Sequence, residues 1–226
     1  MAGVKQIKQQ HVLDKGIQLE DQDEWLIKAL DDHLTGTQRS PRTGVFYPSA
    51  LGSKCDAHLF LAYNGLIPST TLPAITRRIF DVGNSLELRM ENYFQRMGIL
   101  LFREKHVSFD NPPISGRCDF ILAHGEDGRI ILELKSANNR TFGALRLAPK
   151  YDHQVQLQIY LNLSGIDHGV VLYENKDNQQ LKAFKVARSD EQWNFILDRC
   201  FKIMGMTKLP KTCKGPKWCP CRSVPR

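Results

Sequence analysis

Two apolar runs joined across a glycine-bounded break constrain this chain more than any other stretch. They are Ser115-Gly116-Arg117-Cys118-Asp119-Phe120-Ile121-Leu122 and Arg129-Ile130-Ile131-Leu132-Glu133-Leu134-Lys135-Ser136-Ala137, with Gly125-Glu126-Asp127-Gly128 between them. Such a pattern reads as a β-hairpin. Strand side chains alternate faces, so Leu132 and Leu134 take one face and Glu133 and Lys135 the other. Charge inside an apolar strand marks that second face as the candidate site. Whether Asp119 joins it depends on the turn. A two-residue Asp127-Gly128 loop pairs Asp119 with Ser136 and sends Asp119 and Glu133 to opposite faces. A three-residue loop at 125 to 127, or a bulge, sets the two carboxylates across from each other. The second arrangement is expected, because two carboxylates and a lysine then converge. That set offers oxygen ligands to a hard divalent cation, with an ammonium to hold and polarise water. A cross-strand salt bridge on a solvated face is the alternative.

The 226 residues, 42% of them hydrophobic, suffice for a full core and are read as one domain with attachments. No apolar run is long enough to span a bilayer, and the first residues lack an apolar signal core. A cytoplasmic protein with no membrane partner is therefore expected, in the host cytoplasm if virus-encoded. Six cysteines in such a chain point to metal ligation or core packing rather than to disulfides. The net charge is +7, and the stretch from Lys202 to Arg226 holds seven basic residues with no Asp or Glu. A polyanionic partner is expected for that tail.

Residues 1–44 read as a polar arm and a short helix that follows a capping box at Asp21 to Glu24. A helix is expected from Ser49 to Tyr63, with Cys55 inside it. From Arg77 to Met97 a longer amphipathic helix follows, with Ile79, Val82, Leu86, Met90, Tyr93 and Met97 on its apolar stripe and Glu87 on the flank. After the hairpin, Asn138 to Lys150 reads as a basic connector carrying Arg140, Arg146 and Lys150. Asp152 to Leu163 is a helix with Gln156 and Tyr160 one turn apart. His153 is within reach of DNA, although a plain surface residue is the stronger reading. Gly169 to Tyr173 suits a buried strand and Leu181 to Val186 an edge strand. A last helix carries Trp193, Ile196, Leu197, Cys200, Phe201 and Met204, with Cys200 as core.

The order of these features resembles the PD-(D/E)XK nuclease superfamily, in its RecB-like exonuclease branch. Gly83-Asn84-Ser85-Leu86-Glu87, Gly116-Arg117-Cys118-Asp119, Glu133-Leu134-Lys135 and Gln156-Leu157-Gln158-Ile159-Tyr160 carry the likeness. Tyr47-Pro48-Ser49-Ala50-Leu51 followed by Cys55 is similar to the amino-terminal segment of the iron–sulfur members, among them the AddB nuclease domain and the CRISPR-associated adaptation nucleases. Cys213, Cys219 and Cys221 stand where those members place three further cysteines. Here the five-residue gap comes first and Cys219-Pro220-Cys221 replaces the family's Cys-x-x-Cys step.

The resemblance implies a restriction-endonuclease-like α/β core over residues 45–205, with a central mixed sheet flanked by helices. A basic segment, 206–226, would close the two chain ends through its cysteines. It implies a metal-dependent DNA nuclease, an exonuclease of DNA processing, recombination or repair. Glu87, Asp119, Glu133 and the backbone carbonyl of Leu134 would hold Mg²⁺ or Mn²⁺, with Lys135 catalytic beside Asp119 and Glu133. Gln156, or its rival Gln154, would position DNA together with Tyr160, Arg140 and Lys150. Cys55, Cys213, Cys219 and Cys221 would hold a [4Fe-4S] cluster, with Zn²⁺ as the alternative. Implied partners are DNA, single-stranded or with free ends, and a recombination or helicase protein. The competing readings are a nucleic-acid-binding or integration-assisting protein with a vestigial nuclease site, and a zinc-stabilised adaptor.

Overall fold

A computed structural model of the chain describes residues 24–35, 43–67, 71–125, 128–211, 213 and 219–222. The arm at 1–18, most of the expected capping box and Trp218 lie outside them. The sheet has five strands in chain order: β1 (Leu100–Phe109), β2 (Ile114–His124), β3 (Gly128–Ala137), β4 (His168–Asn175) and β5 (Leu181–Ala187). Neighbours are antiparallel except β3 and β4. A parallel pair needs a crossover, supplied here by α5 (Asn139–Ala144) and α6 (Tyr151–Ser164), whereas the antiparallel pairs close through short turns. The sequence reading omitted β1 and α5. Only Val107 of β1 is buried, so this edge strand lacks an apolar face to announce it. Asn138 caps α5 by accepting the Thr141 N–H at 2.8 Å.

Helices cover both faces of the sheet. On one, α4 (Ala74–Arg96) lays Leu86, Met90 and Phe94 over Phe120, Leu122, Leu132 and Leu134. Each large apolar side chain buried there stabilises by roughly 1.5–3 kcal/mol. This corrects the expected stripe, since Ile79, Val82, Tyr93 and Met97 are exposed. The first turns of α4 instead meet α1 (Glu24–Thr35), where Arg78 pairs with Asp31.

The other face carries α6, whose residues from Val155 to Leu161 are all buried. Leu157, Tyr160 and Leu161 pack on the sheet with Ile121, Ile131 and Val171. Val155 and Ile159 face outward to a second layer made by Leu51, Leu59, Phe60 and α7 (Asp190–Met204), with Cys200 in that core as expected. Gln156 and Gln158 are buried among its apolar residues, which is why α6 lacks a clear stripe.

The single helix expected from Ser49 to Tyr63 is two, α2 (Pro48–Leu51) and α3 (Asp56–Tyr63). A Cβ at Gly52 would stand 2.4 Å from the Asp152 Cα, so the chain breaks where it abuts the start of α6. Cys55 therefore caps α3 rather than lying within it, its Sγ accepting the His58 N–H at 3.2 Å.

Candidate active site

The β2–β3 register pairs His124 with Gly128 and Phe120 with Leu132, leaving 125–127 as a three-residue connection. Gly125 takes a left-handed φ of 72° in that turn, a conformation glycine adopts without strain. One step further along this register Asp119 lies across from Glu133, the arrangement expected from the sequence. There β2 and β3 part. The Leu134 N–H donates to the Asp119 Oδ2 at 2.8 Å, so a side chain takes the place a backbone carbonyl would hold in a continued ladder.

Glu133 has no exposed surface. Lys135 Nζ stands 2.6 Å from its Oε1 as an ion pair, and Oε2 is buried without a hydrogen-bond partner among the described residues. Burial, joined by the charge of Asp119, pushes the Glu133 carboxyl up to about 8 despite Lys135. Burial also raises Asp119, opposed by Lys135 and by the Leu134 N–H. Around Lys135, burial works against the ammonium, yet Glu133 and Asp119 outweigh it and hold its pKa up.

Glu87 comes to the same cluster from α4. It is half-buried, and burial followed by the charges of Asp119 and Glu104 raises its pKa. Glu104 was not foreseen. It occupies the β1 position between the Arg103–Phe120 and Lys105–Cys118 pairs, opposite Asp119, with a left-handed φ of 48°. A lone acid in an exposed strand carries no signal of such a place. These carboxylates couple electrostatically without closing into a tight ligand shell. Among the described residues, only the cysteines form a group of three or more His, Cys, Asp or Glu ligands whose donor atoms all lie within 4.8 Å of one another.

From α6, Gln156 Nε2 donates to the Tyr160 hydroxyl at 3.2 Å, and both side chains are buried. Gln156, not Gln154, is thus the glutamine joined to Tyr160. Burial, helped by Glu133, raises the Tyr160 phenol. A cavity of about 570 Å³ opens beside this pair, bounded also by Ser49, His106, Ser115 and Arg117. Arg140 and Lys150 border a separate surface cavity of about 400 Å³ with Leu145. His153, expected at the surface, is mostly buried and bonded to Tyr173.

Cys55, Cys213, Cys219 and Cys221 converge from the two ends of the described chain, with Cys213 and Cys221 sulfurs 3.6 Å apart. All six cysteines are unbridged. Burial pushes the Cys55 thiol up to about 12, so an unligated thiolate is disfavoured there. The group is able to hold a metal, and Leu61 and Leu209 pack around it.

The five-stranded mixed sheet flanked by helices is a restriction-endonuclease-like α/β fold. Among solved structures, it is similar to the alkaline exonuclease LHK-Exo from Laribacter hongkongensis, with a TM-score of 0.51 and 16% identity over 78% of this chain and 90% of that one. It is likewise similar to SSO0001, with a TM-score of 0.51 and 21% identity over 80% of this chain and 84% of the other. At such identity the likeness shows a shared fold. No protein-family model matches the sequence, and neither does any curated protein.

Proposed function

We propose that this chain is a divalent-metal-dependent deoxyribonuclease, an exonuclease of DNA processing, recombination or repair. The observation that carries the reading is Glu133. Its carboxylate has no exposed surface, meets the Lys135 ammonium at Oε1 only, and shares the site with the negative charges of Asp119 and Glu87, so a further cation at Oε2 would offset what one ammonium leaves uncompensated. The exonuclease fold of LHK-Exo supports the same reading.

The donor set is all oxygen, which fits Mg²⁺ or Mn²⁺: Glu87, Asp119, Glu133 and the Leu134 carbonyl are its ligands in this reading. Such an ion supplies Lewis acidity and neutralises charge on the phosphate. Lys135 orients the attacking water and faces the scissile phosphate. The water oxygen forms the new phosphorus–oxygen bond as the bond to the leaving nucleotide oxygen breaks, the water's proton passes through solvent to that leaving oxygen, and the ammonium offsets the charge that builds in between. Gln156 and Tyr160 position the strand beside this cluster. Arg140, Lys150 and the basic 206–226 segment take phosphates farther along the DNA, independently of sequence.

The four thiols serve as a structural staple. Their spacing supports a single tetrahedral ion such as Zn²⁺, in which sulfurs about 2.3 Å from the metal lie roughly 3.8 Å from one another. Around a [4Fe-4S] cluster the thiolates stand farther apart, one beyond each corner; that cluster is supported by the sequence resemblance. No described helix is long and apolar enough to cross a membrane, and the reading places the protein in the cytoplasm with DNA, acting alongside a recombination or helicase protein.

The test is incubation of the purified protein with end-labelled single- and double-stranded DNA, with Mg²⁺ or with EDTA. Metal-dependent shortening from the ends is expected. DNA that is bound but never cut under any divalent metal refutes the nuclease and favours a binding protein with a vestigial site.

A further inference from the structure

His153 lies in the first turn of α6, with 20% of its side chain exposed. Its Nδ1 stands 2.7 Å from the hydroxyl of Tyr173, which is itself buried on β4. Tyr173 pairs in parallel register with Lys135 of β3, so the two side chains are neighbours on one face of the sheet. The same hydroxyl accepts the Lys150 N–H at 3.0 Å.

These contacts favour one imidazole tautomer. A phenol has one proton to give, and with the Lys150 N–H already received, His153 Nδ1 is the acceptor for it. Were Nδ1 the donor instead, the buried phenol proton would have no acceptor among the described residues, at a cost of about 1–3 kcal/mol. The ring proton therefore sits on Nε2. That atom is 3.9 Å from the Asp152 Oδ2, beyond hydrogen-bond reach. Burial holds the ring's pKa down to about 4, with Lys135 and Lys150 adding to the effect and Asp152 opposing it. A neutral N–H donor thus lies within the electrostatic reach of the Lys135 and Lys150 ammonium groups.

We propose that His153 is a DNA-positioning residue: its Nε2–H, fixed by Tyr173, donates a hydrogen bond to a non-bridging phosphate oxygen of the strand lying beside Lys135. The inference rests on the nuclease reading above and adds a contact outside the four motifs. Two ammonium groups attract the phosphate from any direction, whereas one directed N–H fixes where its oxygen sits. A tethered imidazole does this without a protonation change, so the contact is constant across neutral pH.

The experiment measures binding of a fluorescent single-stranded oligonucleotide to the full chain in EDTA, at several salt concentrations, for the unsubstituted protein, His153→Ala, His153→Gln, Tyr173→Phe and Lys150→Ala. His153→Ala is expected to weaken binding about ten- to a hundredfold, the loss of one hydrogen bond to a charged group. Its salt slope is expected to stay unchanged, since a neutral donor releases no counterion, while Lys150→Ala reduces the slope by about 0.7. Glutamine carries an N–H near the imidazole Nε2 place, so His153→Gln is expected to bind within about twofold of the unsubstituted protein. Tyr173→Phe keeps the imidazole and frees its tautomer, and a loss of about twofold or more is expected. A merely structural tether lowers the unfolding midpoint of both His153 variants equally and gives Gln no advantage in binding. That result, or undiminished binding by His153→Ala, overturns the inference while leaving the nuclease reading standing. Unchanged affinity in Tyr173→Phe overturns it even where the His153 variants do not fold. No DNA binding by the unsubstituted protein overturns both.

Discussion

Asp119 and Leu134 meet side chain to backbone, the Oδ2 accepting the N–H at 2.8 Å where β2 and β3 part. This contact holds one carboxylate of the cluster, while Glu133, one residue before Leu134, meets Lys135 at Oε1 and has its Oε2 buried without a hydrogen bond among the described residues. Glu133→Gln is therefore expected to abolish Mg²⁺-dependent cleavage while leaving DNA binding intact or stronger, since one metal ligand and one negative charge are removed. Undiminished cleavage of labelled DNA refutes the site assignment.

The same residue sets a pH dependence. The folded pKa of Glu133 is about 8 against an ordinary 4.5, so between those values the folded state keeps a proton that the unfolded state has released. Stability of the metal-free protein is then highest below pH 4.5, as far as this group is concerned, and falls as pH rises through 8. Thermal midpoints measured from pH 5 to 9 in EDTA are expected to decline, and to decline less in Glu133→Gln. A steeper decline in the glutamine variant contradicts the assignment.

Lys135→Met keeps most of the side-chain volume and removes the ammonium. Turnover is expected to fall by about two orders of magnitude or more, as for loss of an electrostatic contact made in the transition state. Single-turnover cleavage and thermal unfolding, measured together, separate this from an ion pair with Glu133 that only supports the fold. In the latter case stability and activity fall in step.

Gly52→Ala places a methyl group where the Asp152 backbone already stands, 2.4 Å away. Its backbone is ordinary helical, φ −68° and ψ −13°, so the penalty is steric and not conformational. A loss of about 1–3 kcal/mol is expected from urea unfolding, with α2 pushed off α6. A neutral or stabilising effect shows that the two helices are not in the close contact described.

The thiol group makes a chemical prediction. Protein purified without chelator is expected to hold one equivalent of zinc and to be colourless, and Cys219→Ala to lose the metal and the stability it confers. A brown preparation absorbing near 400 nm, roughly where thiolate-ligated iron–sulfur clusters absorb, identifies the cluster instead. Absence of any bound metal removes the staple altogether.

Local pattern was enough for the hairpin, because alternation and a glycine turn are short-range properties. It was also enough to set Glu133 and Lys135 together, since residues two apart on a strand share a face whatever surrounds them. A three-residue turn is the one that brings the charges together, and the His124–Gly128 pairing agrees. For α4 the same reasoning misplaced the buried face. Ile79, Val82, Tyr93 and Met97 have the right spacing, but only the later part of the helix lies over the sheet, so burial falls on Leu86, Met90 and Phe94.

What the sequence determined by itself are properties carried within a few residues: strand alternation, the Gln156–Tyr160 turn spacing, and the chemistry of carboxylates and thiols. Tertiary structure alone decided which distant residues meet. Glu104 reaches the carboxylates because β1 pairs with β2, and His153 is turned from a free surface residue into a half-buried, tethered one because β4 carries Tyr173 beneath α6. The break at Gly52 has the same origin, since a backbone 100 residues onward occupies the space. Such contacts depend on the packing of whole elements, whose relative placement is set by the summed burial of many side chains and is written in no single stretch of the chain.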